Sequence, residues 1–370
     1  MPERHLRRLF RGPKALRTST DTQSCRNLFQ SQHVHWSARR RIAERSCDLF
    51  SDNLQNGLAS SESVYDSLVT AGQQRTLEDH LGYIRKLVSR GGPEIDDYAE
   101  LDAWFTNLFL AFDSGHLPND ALGKVREAFG EVFTNGTMFG HAFRKPHGYS
   151  GDFEIIDRFY GSYAASGTHE HWDRYIQAGR APRAVRNRKT YLHDLLRRRI
   201  EASNGQTIRV LNVASGPGRD IAEFLSGSSS NIQFDCIDQD PSAIRYASAL
   251  CAAFVDRVTF LRADILRFRP RGKYDLIWAA GLFDYFSDRV FKLVLRRLLP
   301  GVAPGGEIVI GNFSSANPNQ HWLRLVEWHL NHRSPEQLQT LGSESGVNPD
   351  RIKIGRERES VNLFLHIRNG

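Results

Sequence analysis

Three positions in the second half of the chain are spaced for a single ligand. In VLNVASGPGRD a run of small apolar residues breaks at Gly216 and Gly218, and glycines there let the backbone lie against a bound group and present its amides near a helix start. Asp238 closes FDCID, 22 positions after Gly216, where a carboxylate can accept hydrogen bonds from both hydroxyls of a ribose. Asp264, in RADIL, stands where it could accept an adenine amino group, with Ile265 packed beside the ring. Each feature alone has a plainer reading, since a glycine turn can simply join strand to helix and an acid after a strand is often a cap. In register at the ends of successive strands, they describe an adenosine site.

The turn reads Ala214-x-Gly216-x-Gly218 and lacks the third glycine of GxGxxG, so no dinucleotide pyrophosphate is expected. A GxxxxGK[ST] run is also missing, which disfavours phosphoryl transfer from a nucleoside triphosphate. What remains is an adenosine carrying a small zwitterion, S-adenosylmethionine. Arg144, Lys145 and Asp152 offer charges for the carboxylate and ammonium of its methionine part. Arg186 and Arg188 are rivals for the carboxylate, although both belong to a basic helix that could be a solvated face. Asp220 could meet the ammonium or serve the helix N-terminus, where an anion is favoured. Gln239, beside Asp238, and Ala280 with Gly281, after YDLIWA, are assigned to the same cofactor. Asp240, followed by Pro241, reads more simply as a helix N-cap.

A sulfonium makes its methyl carbon electrophilic, so catalysis mainly requires an aligned nucleophile and the exclusion of water. Tyr149, Phe283 and Tyr285 are candidates to face the cation, with core packing as the alternative for the aromatics of GLFDYF. Asn312 could orient substrate or form a turn. His329 and His332 are expected at i, i+3 on a helix near Glu327; that spacing permits a metal pair, but no further acidic ligand is in sight and no metal is expected.

Several kinds of element must hold these residues. Across residues 48–157 apolar residues recur at helical spacing, as in YDSLVTAG, LEDHLGYIRKLVSR and LDAWFTNLFLAF. A Gly- and Tyr-rich stretch, 145–181, precedes a long basic helix expected over 184–200. Beyond Gly205, IRVLNVA, IQFDCID, VTFLRA, YDLIWAA, GEIVIGN and VNLFLHIR alternate with helices, the pattern of a largely parallel sheet covered on both faces.

Composition sets the outer bounds. The 370 residues are 40% hydrophobic and 25% charged, ordinary for a globular chain. Net charge is +7, but residues 1–45 hold eleven Lys or Arg against three Asp or Glu, so the rest is near neutral and the basic excess is no evidence that the folded part binds nucleic acid. That leader reads as disordered, with targeting or phosphate contact as alternatives. No secretory signal or membrane span is evident, and a soluble, cytoplasmic protein is expected. Cys25, Cys47, Cys236 and Cys251 show no ligand spacing and read as reduced thiols.

The segment 208–313 resembles a class I S-adenosylmethionine-dependent methyltransferase, with LNVASGPGRD as the glycine motif, CIDQD as the ribose acid and ADIL as the adenine contact. Over roughly 144–341 the finer resemblance is to bacterial extracellular-factor 3-hydroxypalmitic acid methyl ester biosynthesis proteins and their azetidine-2-carboxylic acid synthase relatives, carried by KPHGYSGD, AVRNR and GLFDYFSDR. It implies an α/β fold, a Rossmann-like sheet of seven mostly parallel strands, with a helical substrate or lid domain over 46–200 and a cofactor-binding domain over 201–370. The family pattern has Met-Glu where this chain has Leu323 and Arg324, and Tyr where it has His332, which puts substrate and reaction in doubt. The expected function is methyl transfer to a small-molecule carboxylate or hydroxyl. The alternative is cyclisation of the cofactor to azetidine-2-carboxylic acid and methylthioadenosine, and a non-enzymatic, RNA-associated cofactor sensor is the third reading. The expected partner is a small-molecule substrate, without membrane or nucleic acid; a homodimer is left open.

Overall fold

Five apolar segments assemble side by side: β1 (Ile208–Val213), β2 (Ile232–Asp238), β3 (Val258–Arg262), β4 (Tyr274–Ala279) and β5 (Val302–Phe313). They run parallel; beyond β5, β7 (Asn362–Arg368) pairs antiparallel with β5, and β6 (Ile352–Arg356) pairs antiparallel with β7 and so runs with the first five. The order is β3-β2-β1-β4-β5-β7-β6, so the sense of strand addition reverses at β1, and the loops after β1, β2 and β4 open at one edge. This is the Rossmann-like architecture of class I methyltransferases, seen in a computed structural model that describes residues 75–370 except 135, 165, 166 and 168. The basic leader over 1–45, the run YDSLVTAG, Cys25 and Cys47 lie outside the described residues. Among the described residues, no helix is long and apolar enough to cross a membrane.

Helices precede the sheet: α1 (Leu77–Ser89), α2 (Tyr98–Asp113), α3 (Ala121–Phe129), α4 (Met138–Arg144), α5 (Phe153–Gly161), α6 (Glu170–Ala178) and α7 (Arg180–Ala202). Trp104, Phe105, Phe129, Phe139 and Trp172 interlock as the centre of this helical layer. Leu192, Leu195 and Leu196 of α7 then meet Val210, Trp278 and Phe364 on one sheet face, together with α8 (Arg219–Ser226). The opposite face is covered by α10 (Asp288–Leu298) and α12 (Pro335–Glu344), through Phe291, Leu295 and Leu338. α9 (Pro241–Leu250) links β2 to β3, and α11 (Gln320–Leu325) follows β5. Residues Asp79–Gly370 form one compact unit.

Three differences from the sequence reading have local causes. The stretch 145–181 holds α5 and α6, because Asp152 caps α5 by accepting the Ile155 amide, a start signal submerged among Gly and Tyr. Strand β6 has no apolar run to mark it, since IKIGR is a five-residue edge strand that is only partly buried. The segment 326–333 is not helical: α11 stops at Leu325 and Glu327 adopts φ +55°, so His329 and His332 do not share a helix face.

Gly311 in β5 sits against the backbone of β4, where an added Cβ would lie 2.5 Å from the Ala280 carbonyl oxygen. Neither strand can retreat, because both are central. Gly311→Ala should therefore lower unfolding free energy by about 1–3 kcal/mol in urea melts; an unchanged midpoint would contradict this packing.

Candidate active site

The turn after β1 is built from alternate left-handed positions, Ala214 (φ 53°), Gly216 (φ 55°) and Gly218 (φ 67°). The two glycines do different work. A Cβ on Gly218 would come 3.0 Å from that of Ala247, so this glycine lets α8 approach α9. A Cβ on Gly216 would meet no protein atom within 4 Å, so its requirement is conformational and its face is open to a ligand.

Asp238 reaches back to this turn. Its carboxylate accepts the amides of Gly216 at 2.9 Å and Asp240 at 3.0 Å. Burial raises its pKa, against the pull of those amides. Asp240 caps α9 through the Ser242 amide at 2.7 Å, and Pro241 opens the helix. Gln239 is exposed, and its carbonyl accepts from Arg262. Asp264 turns its own loop by accepting the Leu266 amide at 2.9 Å, while Ile265 packs on the core below.

The charged candidates separate. Arg188 is 6% exposed; its guanidinium donates to the Tyr160 hydroxyl at 3.2 Å and the Ala280 carbonyl at 3.5 Å, and lies against Gly281. Asp220 and Asp284 attract it without either forming a hydrogen bond to it. Arg186 is engaged elsewhere: it donates to the Gln177 side chain and carbonyl, both at 2.7 Å, and joins α7 to α6. Arg144 closes its own neighbourhood by donating to the carbonyls of Gly140 and Thr134. Lys145 lies 3.7 Å from Glu327. Asp152 is fully buried, with both oxygens on His141 Nε2 at 2.9 and 2.8 Å, so it supports the site wall and is not open to a ligand.

The aromatic candidates also divide. The Tyr149 hydroxyl donates to Asp240 at 3.2 Å, and burial together with the charges of Asp238, Asp240 and Asp152 raises its pKa far above the ordinary tyrosine range. Tyr285 accepts the Trp328 indole N–H at 2.9 Å and faces Gly151. Phe283 is fully buried between Phe286 and Phe291, so the packing alternative holds for it. Asn312 donates to the carbonyls of Phe313 and Asn331 and accepts from Arg333 at 2.6 Å, which leaves it a structural bracket. His332 pairs with Asn317 at 3.0 Å and His329 is exposed; among the described residues no group of three side chains is arranged to hold a metal.

Sequence reasoning passed over Asp284, Tyr160 and Trp328. Asp284 is inside the GLFDYF run, but nothing in its spacing reveals that its carboxylate accepts the Phe313 amide in a buried position facing Arg188. Tyr160 and Trp328 reach the site only through tertiary packing. The Ser215 hydroxyl, in the glycine turn itself, is buried without a hydrogen-bond partner among the described residues. A polar, open-faced turn, a nearby acid and a buried cation at one sheet edge fit a nucleoside bearing a small zwitterion.

Residues 210–306 match the family model described as a methyltransferase domain. The match covers about a quarter of the chain, from β1 to the start of β5, and it agrees with S-adenosylmethionine as the cofactor. Among solved structures, a possible exported protein from Bordetella parapertussis is similar at 18% identity and a TM-score of 0.54, covering 84% of this chain and 99% of that one. The N-methyltransferase NodS from Bradyrhizobium japonicum WM9, solved with S-adenosyl-L-homocysteine, is 19% identical at a TM-score of 0.38, covering 59% and 97%. Magnesium protoporphyrin IX methyltransferase from Synechocystis PCC 6803 is 10% identical at 0.43, covering 58% and 93%. At these identities the likeness concerns the fold. Comparison with curated proteins finds no match.

Burial pushes Asp220 and Asp284 up to about 6, even though Arg188 and backbone amides favour their charged forms. An unfolded aspartate titrates near 3.9, so between about pH 4 and 6 the unfolded chain binds fewer protons than the folded one. These groups therefore contribute less stability as pH rises through that window. Asp220→Asn removes one of them; its stability relative to wild type should grow from about pH 4 to about pH 6 by 1–3 kcal/mol and then level off, as read from urea melts across pH. A pH-independent difference would contradict the burial of this carboxylate.

Proposed function

We propose that the protein methylates a small-molecule carboxylate or hydroxyl, with S-adenosylmethionine supplying a methyl group on a cationic sulfur. The observation that supports this reading most directly is Arg188, a buried guanidinium at the carboxyl end of β4 whose hydrogen bonds among the described residues go to neutral acceptors. It suits the carboxylate of a methionine moiety, and Asp220 suits the ammonium. Gly216 and Asp238 would hold the ribose, and Asp264 with Ile265 the adenine. Tyr149 and Tyr285 would wall the acceptor side, with Trp328 fixing the Tyr285 phenol.

Methyl transfer to a carboxylate needs no base; transfer to a hydroxyl needs the proton removed. No large nucleic-acid surface is required by either. The enclosing wall of residues 145–152 favours a small acceptor over a macromolecule. The altered segment at 323–332 is the one feature that keeps cofactor cyclisation as a second reading.

Product analysis separates the readings. Purified protein with S-adenosylmethionine should release S-adenosylhomocysteine only when an acceptor from a carboxylate and hydroxyl panel is added. Methylthioadenosine released without acceptor would replace methyl transfer by cyclisation to azetidine-2-carboxylic acid. Asp238→Ala should weaken cofactor binding by about 1.5–3 kcal/mol in calorimetry, since a charged acceptor of hydroxyl donors is lost. Unaltered affinity would remove Asp238 from the ribose site.

A further inference from the structure

Residues 145–152, KPHGYSGD, cross the rim of the sheet. At one side the Tyr149 hydroxyl donates to Asp240, just past the end of β2. At the other, Gly151 lies so close to Tyr285, after β4, and to Trp328 that a Cβ there would stand 2.6 Å from the indole. In the sheet β2 and β4 flank β1, so this segment spans the glycine turn after β1.

Its anchorage is charged and partly exposed. Glu327 carries Lys145 at 3.7 Å and Arg126 at 3.3 Å, with side-chain exposures of 42%, 31% and 19%. Arg126 also donates to the Leu325 carbonyl at 2.8 Å. Lys145 and Glu327 both sit in the left-handed region, at φ 52° and 55°, where L residues are uncommon. Lys145 is set there as the C-cap of α4, its amide donating to the His141 carbonyl, and the Glu327 amide donates to the Arg324 carbonyl, so both ends of the ion pair rise from chain turns that close helices.

We infer that residues 145–152 are a strap latched by the Lys145–Glu327–Arg126 ion pairs, which must unlatch for S-adenosylmethionine to enter or its product to leave. The inference rests on the cofactor reading above. A nucleoside held against Gly216 and Asp238 would lie beneath the strap, and the partly exposed ion pairs are its weakest attachment, because water and salt screen them while Gly151 and Tyr149 are held in packed surroundings. Latch strength then governs both rates of exchange more than the equilibrium affinity.

The test needs no acceptor. S-Adenosylmethionine affinity is measured by calorimetry, and its dissociation by stopped-flow displacement with excess S-adenosylhomocysteine, from about 0.05 to about 0.5 M salt. Wild-type dissociation should accelerate with salt. Glu327→Gln should release the cofactor roughly three- to tenfold faster at low salt and lose the salt response, with a smaller change in Kd. Lys145→Gln should act in the same direction and add little to Glu327→Gln. If wild type binds but Glu327→Gln matches its rates and salt response, the strap is overturned and the cofactor reading stands. Wild type that binds no S-adenosylmethionine overturns both.

Discussion

One hydrogen bond joins the parts of this site: the Gly216 amide donates to the Asp238 carboxylate. It ties the turn after β1 to the end of β2, and those two strands are neighbours only because the sheet order places β2 beside β1. The same carboxylate takes the Asp240 amide, so the start of α9 is set by the same group. A charged acceptor serving two partly buried amides is worth more than an ordinary neutral pair, and it fixes the loop before any ligand arrives. Gly216 must stay in the left-handed region for this bond to form, so a side chain there would be strained even though no neighbour would touch it.

The carboxylates of the sheet show what separates support from reactivity. Glu307, toward the amino end of β5, is also buried, but hydrogen bonds from His366 and Arg199 outweigh burial and hold its pKa down to about 2. It is a satisfied ion, and it titrates outside the physiological range. Asp220 and Asp284, at the opposite edge, are pushed up to about 6 because burial there outweighs what Arg188 and the nearby amides return. A fold gains nothing from leaving two buried acids incompletely compensated around one guanidinium. Such frustration at one rim, beside full pairing elsewhere, is the pattern of a site arranged for a charged ligand.

The sequence made the sheet legible because its strands are continuous apolar runs between amphipathic helices, and it made the glycine turn and Asp238 legible because local geometry demands those residue types. Phe283 shows where that reasoning ends. It belongs to the same short run as Asp284 and Tyr285, and a 3-10 turn sends it into the core while its neighbours stay at the rim. Arg186 and Arg188 differ by two positions on α7, so they point to different sides of the helix. Choosing between them required knowing which side faces β4, which is a tertiary fact. Trp328 reaches the site because Glu327 reverses the chain after α11, and a left-handed glutamate has no sequence signature.

The same segment bears on how far the departures from the family pattern reach. Leu323 is buried in the helical layer, and Arg324 turns outward to pair with Asp113 through two hydrogen bonds and to stack on Phe109 at 4.3 Å from its ring centre. His332 sits beside Phe313 and Asn317, with its pKa lowered chiefly by burial, so a neutral ring is favoured. These side chains fasten the segment 320–333 to α2 and to the end of β5. None of them hydrogen-bonds Arg188, Asp220 or Asp238. A change of reaction would have to act through groups at that rim, whereas these replacements alter how the surrounding wall is held; their effect on chemistry would be exerted through the placement of Trp328 and, through it, the Tyr285 phenol.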